Sequence, residues 1–391
     1  MKHRRKMIAG LLASVLIVSG CASTGTTTSG VSTPSSVTTT DTVTTGTTTV
    51  DAISSSTAAV DWSTLPSTNV TLTDAGLAIT QAGTYVLSGS TTGQVRVDSD
   101  GNVRIILDDA TIASNDGAAI QIDNAELTVL ELADGSVNTV SDAATRSDEE
   151  IDGAIYSSDD LYIAGSGTLN VTAAFADGIV GKDDLWIESG TIKVTSVDDG
   201  IRGKDSLTVS GGTLTLITAG DGLKSSNDTD LGKGQLSITG GDITITSGDD
   251  AIKAEQAIQI TDGTIKIVAS VEGIEAPVIV IDGGNISLNA SDDGINASAS
   301  AIITNGLSIT INGGNLDISM GAGDTDAIDS NGNLTITGGT ISISAQSPFD
   351  YDGTGTLSGG TVIVNGTQVT TLTNQMMGGG GPFGGAPVGR R

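Results

Sequence analysis

The sequence predicts an all-β fold, a single-stranded right-handed parallel β-helix that winds as a three-sheet solenoid of about 22 residues per coil. Three observations predict it. Apolar residues recur in a fixed register through the middle of the chain. Glycine pairs punctuate that register. The chain also holds 54 Gly but only 2% aromatic residues, so its core must be built from Ile, Val, Leu and Ala, which suits thin stacked strands.

The register is clearest from Ile201. Apolar residues follow at Leu207, Val209, Leu214 and Leu216. The same offsets from Ile179 give Leu185, Ile187, Ile192 and Val194; from Ile252, Ile258, Ile260, Ile265 and Ile267; from Ile328, Leu334, Ile336, Ile341 and Ile343. Residues two apart point to one side of a strand, so each unit carries three short strands with one inward face. Leu223 reaches Leu236 after a polar insertion over Asn227–Gly234, and Ile295 reaches Ile309 after a second insertion. Both fall at one corner, as loops on one face of a solenoid do. Pairs such as Gly211-Gly212, Gly240-Gly241 and Gly313-Gly314 supply positive-φ corners. An antiparallel sandwich with glycine turns is the alternative, and it needs no fixed register. Residues 70–150 are less regular and read as the first coils plus a cap over the open end.

The corner before each origin residue carries the chemistry. It reads Asp177-Gly178, Asp198-Asp199-Gly200, Asp221-Gly222, Asp249-Asp250-Ala251, Glu272-Gly273, Asp292-Asp293-Gly294 and Asp326-Ala327. Stacking would superimpose these carboxylates, with a second acidic column at Asp159-Asp160, Asp183-Asp184 and Asp205. Carboxylates one coil apart repel, so they must take up protons, face water or bind cations. Converging hard oxygen ligands suit Ca²⁺. The candidate ligands are Asp177, Asp183, Asp198, Asp199, Asp205, Asp221, Asp249, Asp250, Asp292 and Asp293. Lys182, Arg202, Lys204, Lys224 and Lys253 follow the same corners and would line up beside the acids. They read either as a dock for an acidic polymer or as salt-bridge partners within the stack, Lys204 to Asp177 for example. Trp186, between inward Leu185 and Ile187, points outward and could stack on a sugar.

The net charge of −29 excludes ordinary phosphate-backbone binding, so no nucleic acid is expected. At the N-terminus, Lys2, Arg4, Arg5 and Lys6 precede an apolar run, and Val18-Ser19-Gly20-Cys21 resembles the lipobox of bacterial lipoproteins. Residues 1–20 therefore read as a signal peptide and Cys21 as the lipidated residue of an exported, envelope-anchored protein. Cleavage there leaves 13 basic against 46 acidic residues, a net −33. Cys21 is the only cysteine and His3 the only histidine, so neither a disulfide nor a zinc site is expected in the folded part. Residues 21–66, rich in Thr and Ser, read as a tether; 67–370 as the solenoid; 371–391, with Met376-Met377 and a glycine run, as a flexible tail.

The motifs Asp177-Gly178-Ile179-Val180-Gly181-Lys182-Asp183-Asp184-Leu185 and Asp198-Asp199-Gly200-Ile201-Arg202-Gly203-Lys204-Asp205 resemble those of the parallel β-helix carbohydrate-binding domain proteins, related in fold to pectate lyases. So do Ala82-Gly83-Thr84-Tyr85-Val86-Leu87 and the Met/Gly-rich end. The resemblance spans roughly residues 70–385. It implies a Ca²⁺-containing β-helix at the cell surface that binds cellulose-type and polygalacturonate-type polysaccharides without established lyase action. Ala251 and Ala327 depart from the Asp-Gly pattern. The expectation is a monomeric surface lipoprotein binding acidic polysaccharide. Two alternatives stay open: a Ca²⁺-dependent pectate lyase with Lys204 or Lys224 as base, and a ligand-free adhesin.

Overall fold

The computed structural model describes residues 60–321 and 325–374. Chain contacts divide the protein into units 1–45 and 46–391, and every described residue lies in the second. The signal peptide, Cys21 and most of the tether and tail therefore lie outside the described residues.

The protein is all-β, and parallel sheets stack as a solenoid. A 12-stranded sheet forms one side. A 22-stranded sheet forms the rest; long strands such as Gln235–Thr246 and Ala257–Ala269 run round the edge between its two stacks. Among the described residues every ladder is parallel except Thr361–Val364 against Thr367–Val369 at the C-terminal end, which removes the antiparallel sandwich. The only helical turn described is a 3₁₀ turn over Trp62–Thr64.

The register matches the sequence periodicity residue by residue. Ile155, Ile179, Ile201, Leu223, Ile252, Ile274, Ile295 and Ile328 are successive partners in the 12-stranded sheet. Their side chains are fully buried. Leu185, Leu207, Leu236, Ile258, Ile279, Ile309 and Leu334 form a second column, and Ile192, Leu214, Ile243, Ile265, Ile286, Leu316 and Ile341 a third. The core is thus a continuous stack of like on like, in which each coil buries its apolar side chains against its neighbours. Residues 77–124 belong to the same stack, with Leu77 pairing Val95 and Val95 pairing Ile120. Their spacing varies, which hid the repeat. Strand Ser67–Leu72 pairs with the first coil.

Two terminal segments differ from expectation. Val60 and Trp62, placed by the sequence in the tether, pack on the solenoid flank. Leu372, at the start of the expected tail, packs against the last coil and accepts a hydrogen bond from Tyr351 Oη (3.4 Å).

Candidate functional site

The corner acids do superimpose, and the structure shows what holds them. The Asp199 amide donates to Asp177 Oδ1 (3.1 Å), the Asp221 amide to Asp199 Oδ1 (2.9 Å), and the Asp250 amide to Asp221 Oδ1 (2.9 Å). Each carboxylate therefore satisfies the corner amide of the next coil, a need that the Asp-Gly turn itself creates. The other oxygen meets a cation. Arg202 binds Asp177 Oδ2 (2.6 Å) and Asp152; Lys224 bridges Asp199 Oδ2 (3.0 Å) and Asp221 Oδ2 (2.8 Å); Lys253 binds Asp250 Oδ2 (2.6 Å) and Glu275. The cations are register partners, Arg202 beside Lys224 beside Lys253. Internal salt bridging thus engages four of the five predicted basic residues, closely at Arg202, Lys224 and Lys253 and loosely at Lys182, 3.7 Å from Asp152. The specific pair expected from sequence, Lys204 with Asp177, is not made: Arg202 takes that place.

The charges feel their burial. Desolvation lifts Asp177 to about 6 although Arg202 opposes it. Burial, then the hydrogen bond with Glu275, pushes Asp250 up. Lys224 is held above the ordinary lysine range; its burial acts the other way and is outweighed by Asp221 and Asp199. A lysine so held is a poor proton acceptor, which speaks against Lys224 as a lyase base.

Beside this column lies a groove of about 580 Å³, lined by Asp152, Lys182, Asp198, Arg202, Lys204 and Lys224 among others. Among the described residues the Lys204 side chain has no ion pair or hydrogen bond. Lys182 reaches only Asp152, at 3.7 Å, and lies over the Tyr156 ring at 5.6 Å. Asp152 was not singled out from sequence; it precedes Gly153, the register partner of Asp177, and no Asp-Gly-Ile motif flags it.

Three acidic groups come close enough to share a metal ion: Asp177, Asp198 and Asp199; Asp221, Asp249 and Asp250; and Asp250, Glu272 and Glu275. Asp183 and Asp205 instead line a second cavity of about 400 Å³ with Asp160, Asp184 and Lys233. There Asn227 donates to Asp205 Oδ1 (2.6 Å) and Lys233 binds Asp205 Oδ2 (2.5 Å), so the first insertion loop supplies partners to both oxygens of Asp205.

The column changes sign at its C-terminal end. Beyond Lys253 the cation position is occupied by Glu275, Asn296, Asp329 and Asp350 in turn. Burial and the neighbouring acids raise Asp293 to about 6 and Asp329 to about 7. Asn296 is 6% exposed; its Nδ2 donates to Glu272 Oε2 (3.0 Å) and its Oδ1 is buried without a partner.

Trp186 does point away from the core, but it is not free to meet a ligand. It is 4% exposed and stacked on Tyr162, with ring centroids 4.9 Å apart, in a cluster that Val60 and Trp62 join.

Residues 73–322 and 272–375 match the model of the carbohydrate-binding domain-containing protein family. The chain belongs to that family. It is 38% identical over 124 residues to a carbohydrate-binding domain-containing protein of Acetivibrio thermocellus, an alignment covering 30% of this chain and 43% of that protein. The chain thus spans less than half the length of the curated relative it matches. A solved structure, a polysaccharide lyase-like protein from C. thermocellum described as a gadolinium derivative, superposes with a TM-score of 0.50 at 30% identity. The match covers 56% of this chain and 92% of that one. The family assignment and the family-level resemblance read from the Asp-Gly-Ile motifs agree.

Proposed function

We propose that the protein is a surface carbohydrate-binding lipoprotein that takes acidic polysaccharide of the polygalacturonate type in the groove beside the corner column. The observation that carries this is Lys204, a cation in the groove that no internal carboxylate neutralises, with weakly paired Lys182 beside it. A chain of net charge −29 repels a polyanion at long range, so binding needs a local cationic site at contact. Arg202 and Lys224 serve as the rigid wall of that site, already engaged with Asp177, Asp199 and Asp221. The winding is right-handed, as parallel crossovers are in almost every case. The Lys-Arg-rich start and the Val18–Cys21 motif support export and lipidation at Cys21; a Cys21→Ser variant should leave the membrane fraction.

Ca²⁺ belongs to the reading, but not on the whole ladder. Asp177, Asp199, Asp221 and Asp250 already spend one oxygen on an amide or the next coil and another on Lys or Arg, a poor set for an ion that wants 6–8 oxygens. Further candidates are Asp329 and its register partner Asn296, whose buried Oδ1 lacks a donor, with Asp293 nearby; these meet no Lys or Arg among the described residues, although Asp293 Oδ1 also accepts the Asp326 amide (3.1 Å). A bound divalent cation there would neutralise the end of the solenoid.

Affinity electrophoresis in polygalacturonate gels, with Ca²⁺ or EGTA, tests the function. Retardation that Lys204→Ala abolishes is expected; equal migration in every polysaccharide would favour a ligand-free spacer. The solved relative's description keeps a lyase as the second reading, with Lys204 as the remaining base. A steady rise in ultraviolet absorbance from unsaturated product, lost in Lys204→Ala, would overturn the non-enzymatic reading.

A further inference from the structure

The chain holds four Asn-Gly pairs: Asn305-Gly306, Asn312-Gly313, Asn331-Gly332 and Asn365-Gly366. Asparagine before glycine can cyclise, because the glycine's backbone nitrogen reaches the asparagine side-chain carbonyl with no Cβ in the way. The reaction needs a free backbone N–H, a free side-chain amide and room for the main chain to turn. The fold treats the four pairs very differently.

Three are held. Asn312 Nδ2 donates to Asp282 Oδ1 (2.8 Å), its Oδ1 accepts from Thr337 Oγ1 (2.7 Å), and the Gly313 amide donates to the Ile281 carbonyl (3.3 Å). Asn365 spends both ends of its amide on Ala345, donating to the carbonyl (2.9 Å) and accepting from the N–H (3.2 Å). Asn331 has an exposed side chain on a wedged backbone. Its amide donates to the Ala297 carbonyl (3.0 Å), the Gly332 carbonyl accepts from the Gly353 amide (2.7 Å), and a Cβ on Gly332 would lie 1.8 Å from the Leu307 carbonyl oxygen. The corner Asp-Gly pairs, open to the same cyclisation when protonated, are held likewise: the Gly178, Gly200 and Gly222 amides donate to the Asp199, Asp221 and Asp250 carbonyls at 2.9, 2.8 and 2.9 Å.

Asn305-Gly306 has none of these restraints. It lies in the second insertion, between Ile303 and Leu307, which are 9% and 8% exposed. Thr304, Asn305 and Gly306 themselves are exposed. The Asn305 side chain makes one hydrogen bond, Nδ2 to Oγ1 of its neighbour Thr304 (3.1 Å). Among the described residues the Gly306 amide donates to no group. Gly306 has φ 76°, and a Cβ there would meet nothing within 4 Å.

We propose that Asn305 is a self-modification site of the folded protein, converting to aspartate and isoaspartate with water as the only co-reactant. The Gly306 nitrogen gives its proton to solvent and bonds to Asn305 Cγ. The Cγ–Nδ2 bond breaks, and Nδ2 leaves as ammonia, closing a succinimide ring. Water then opens the ring at either carbonyl, so the chain continues through the main chain or through the side chain. Nothing is oxidised or reduced, and the product gains one negative charge. No coil-to-coil hydrogen bond passes through residues 304–306, so the solenoid keeps its register. By register the Lys204 groove lies four coils away, and the modification is independent of what that groove binds.

The test incubates the freshly purified full chain in mildly alkaline buffer made with ¹⁸O-labelled water, and peptide mass spectrometry follows each pair. In the folded protein Asn305 should take up the label at least about tenfold faster than Asn312, Asn331 or Asn365, whose coils must open first. In urea the fold is gone and all four share a glycine neighbour, so the rates should converge. Gly306→Ala should slow Asn305 by about tenfold and leave the other three unchanged. Labelling of Asn305 no faster than that of Asn331 in the folded chain, or a difference that persists unchanged in urea, would overturn the proposal. Should Gly306→Ala fail to fold, the comparison of folded with urea-treated chain decides alone.

Discussion

Replacing Arg202 by Met tests the claim that the corner column is a charge-compensated spine. Asp177 has a side chain 4% exposed and Asp199 one 8% exposed, and Arg202 is the cation nearest Asp177. Removing one partner of a buried pair costs about 3–5 kcal/mol. Asp177 keeps the Asp199 amide and can take up a proton, so a loss of about 3 kcal/mol at pH 8 is expected. The sign follows from its raised value. Folded Asp177 holds its proton up to about 6, against an ordinary value of 3.8, so its contribution to stability falls as pH rises through that window. Without Arg202 the folded value rises further, and the variant suffers most above pH 6. At pH 5 the neutral acid needs no cation, and the loss should shrink to about 1 kcal/mol, since each pH unit across such a window is worth about 1.4 kcal/mol. Urea unfolding followed by circular dichroism at pH 5 and pH 8 measures both. Asp177→Asn added to Arg202→Met should recover most of the pH 8 loss. A loss equal at both pH values and not recovered by Asp177→Asn would refute the argument.

Two other outcomes follow from the same geometry. Asp329 moved from 3.8 to about 7 would represent about 4 kcal/mol at full burial, and about 1–2 kcal/mol once screening of a half-buried carboxyl is allowed for. The protein in EGTA should therefore melt lower at pH 8 than at pH 5, Ca²⁺ should restore the pH 8 melting point, and Asp329→Asn should raise it in EGTA while removing the Ca²⁺ response. Gly222→Ala should destabilise by several kcal/mol, because an added Cβ would sit 2.6 Å from the Ala251 carbonyl oxygen and 2.6 Å from Ile245 Cγ2, where coils approach too closely for a side chain; thermal melting reads it.

The register was legible because its signal is strictly local: apolar residues two apart, glycine, then the next pair. Ile179, Ile201, Leu223 and Ile252 could be stacked on paper and are stacked in the structure. The acidic column was legible for the same reason. What the sequence could not show was the direction of each side chain once stacked. Arg202 and Lys224 occupy the position next to the buried origin residue and reach back to the acids, while Lys204, two residues later and past the edge of its strand, does not. Spacing alone makes these three cations look equivalent. Asp152 and the buried Asp142–Arg146 pair sit in an irregular coil where the repeat gives no register to read. Trp62 lies in a Thr/Ser-rich stretch whose composition reads as tether, and only the fold brings it to Trp186.

Lysine acetylation footprinting with oligogalacturonate tests the central claim most directly. Lys204 should be strongly protected by the ligand and Lys182 partly so, whereas exposed Lys193 and Lys266, which do not line the groove, should react as before. Unchanged reactivity at Lys204 under saturating ligand, or protection spread evenly over all four lysines, would contradict it.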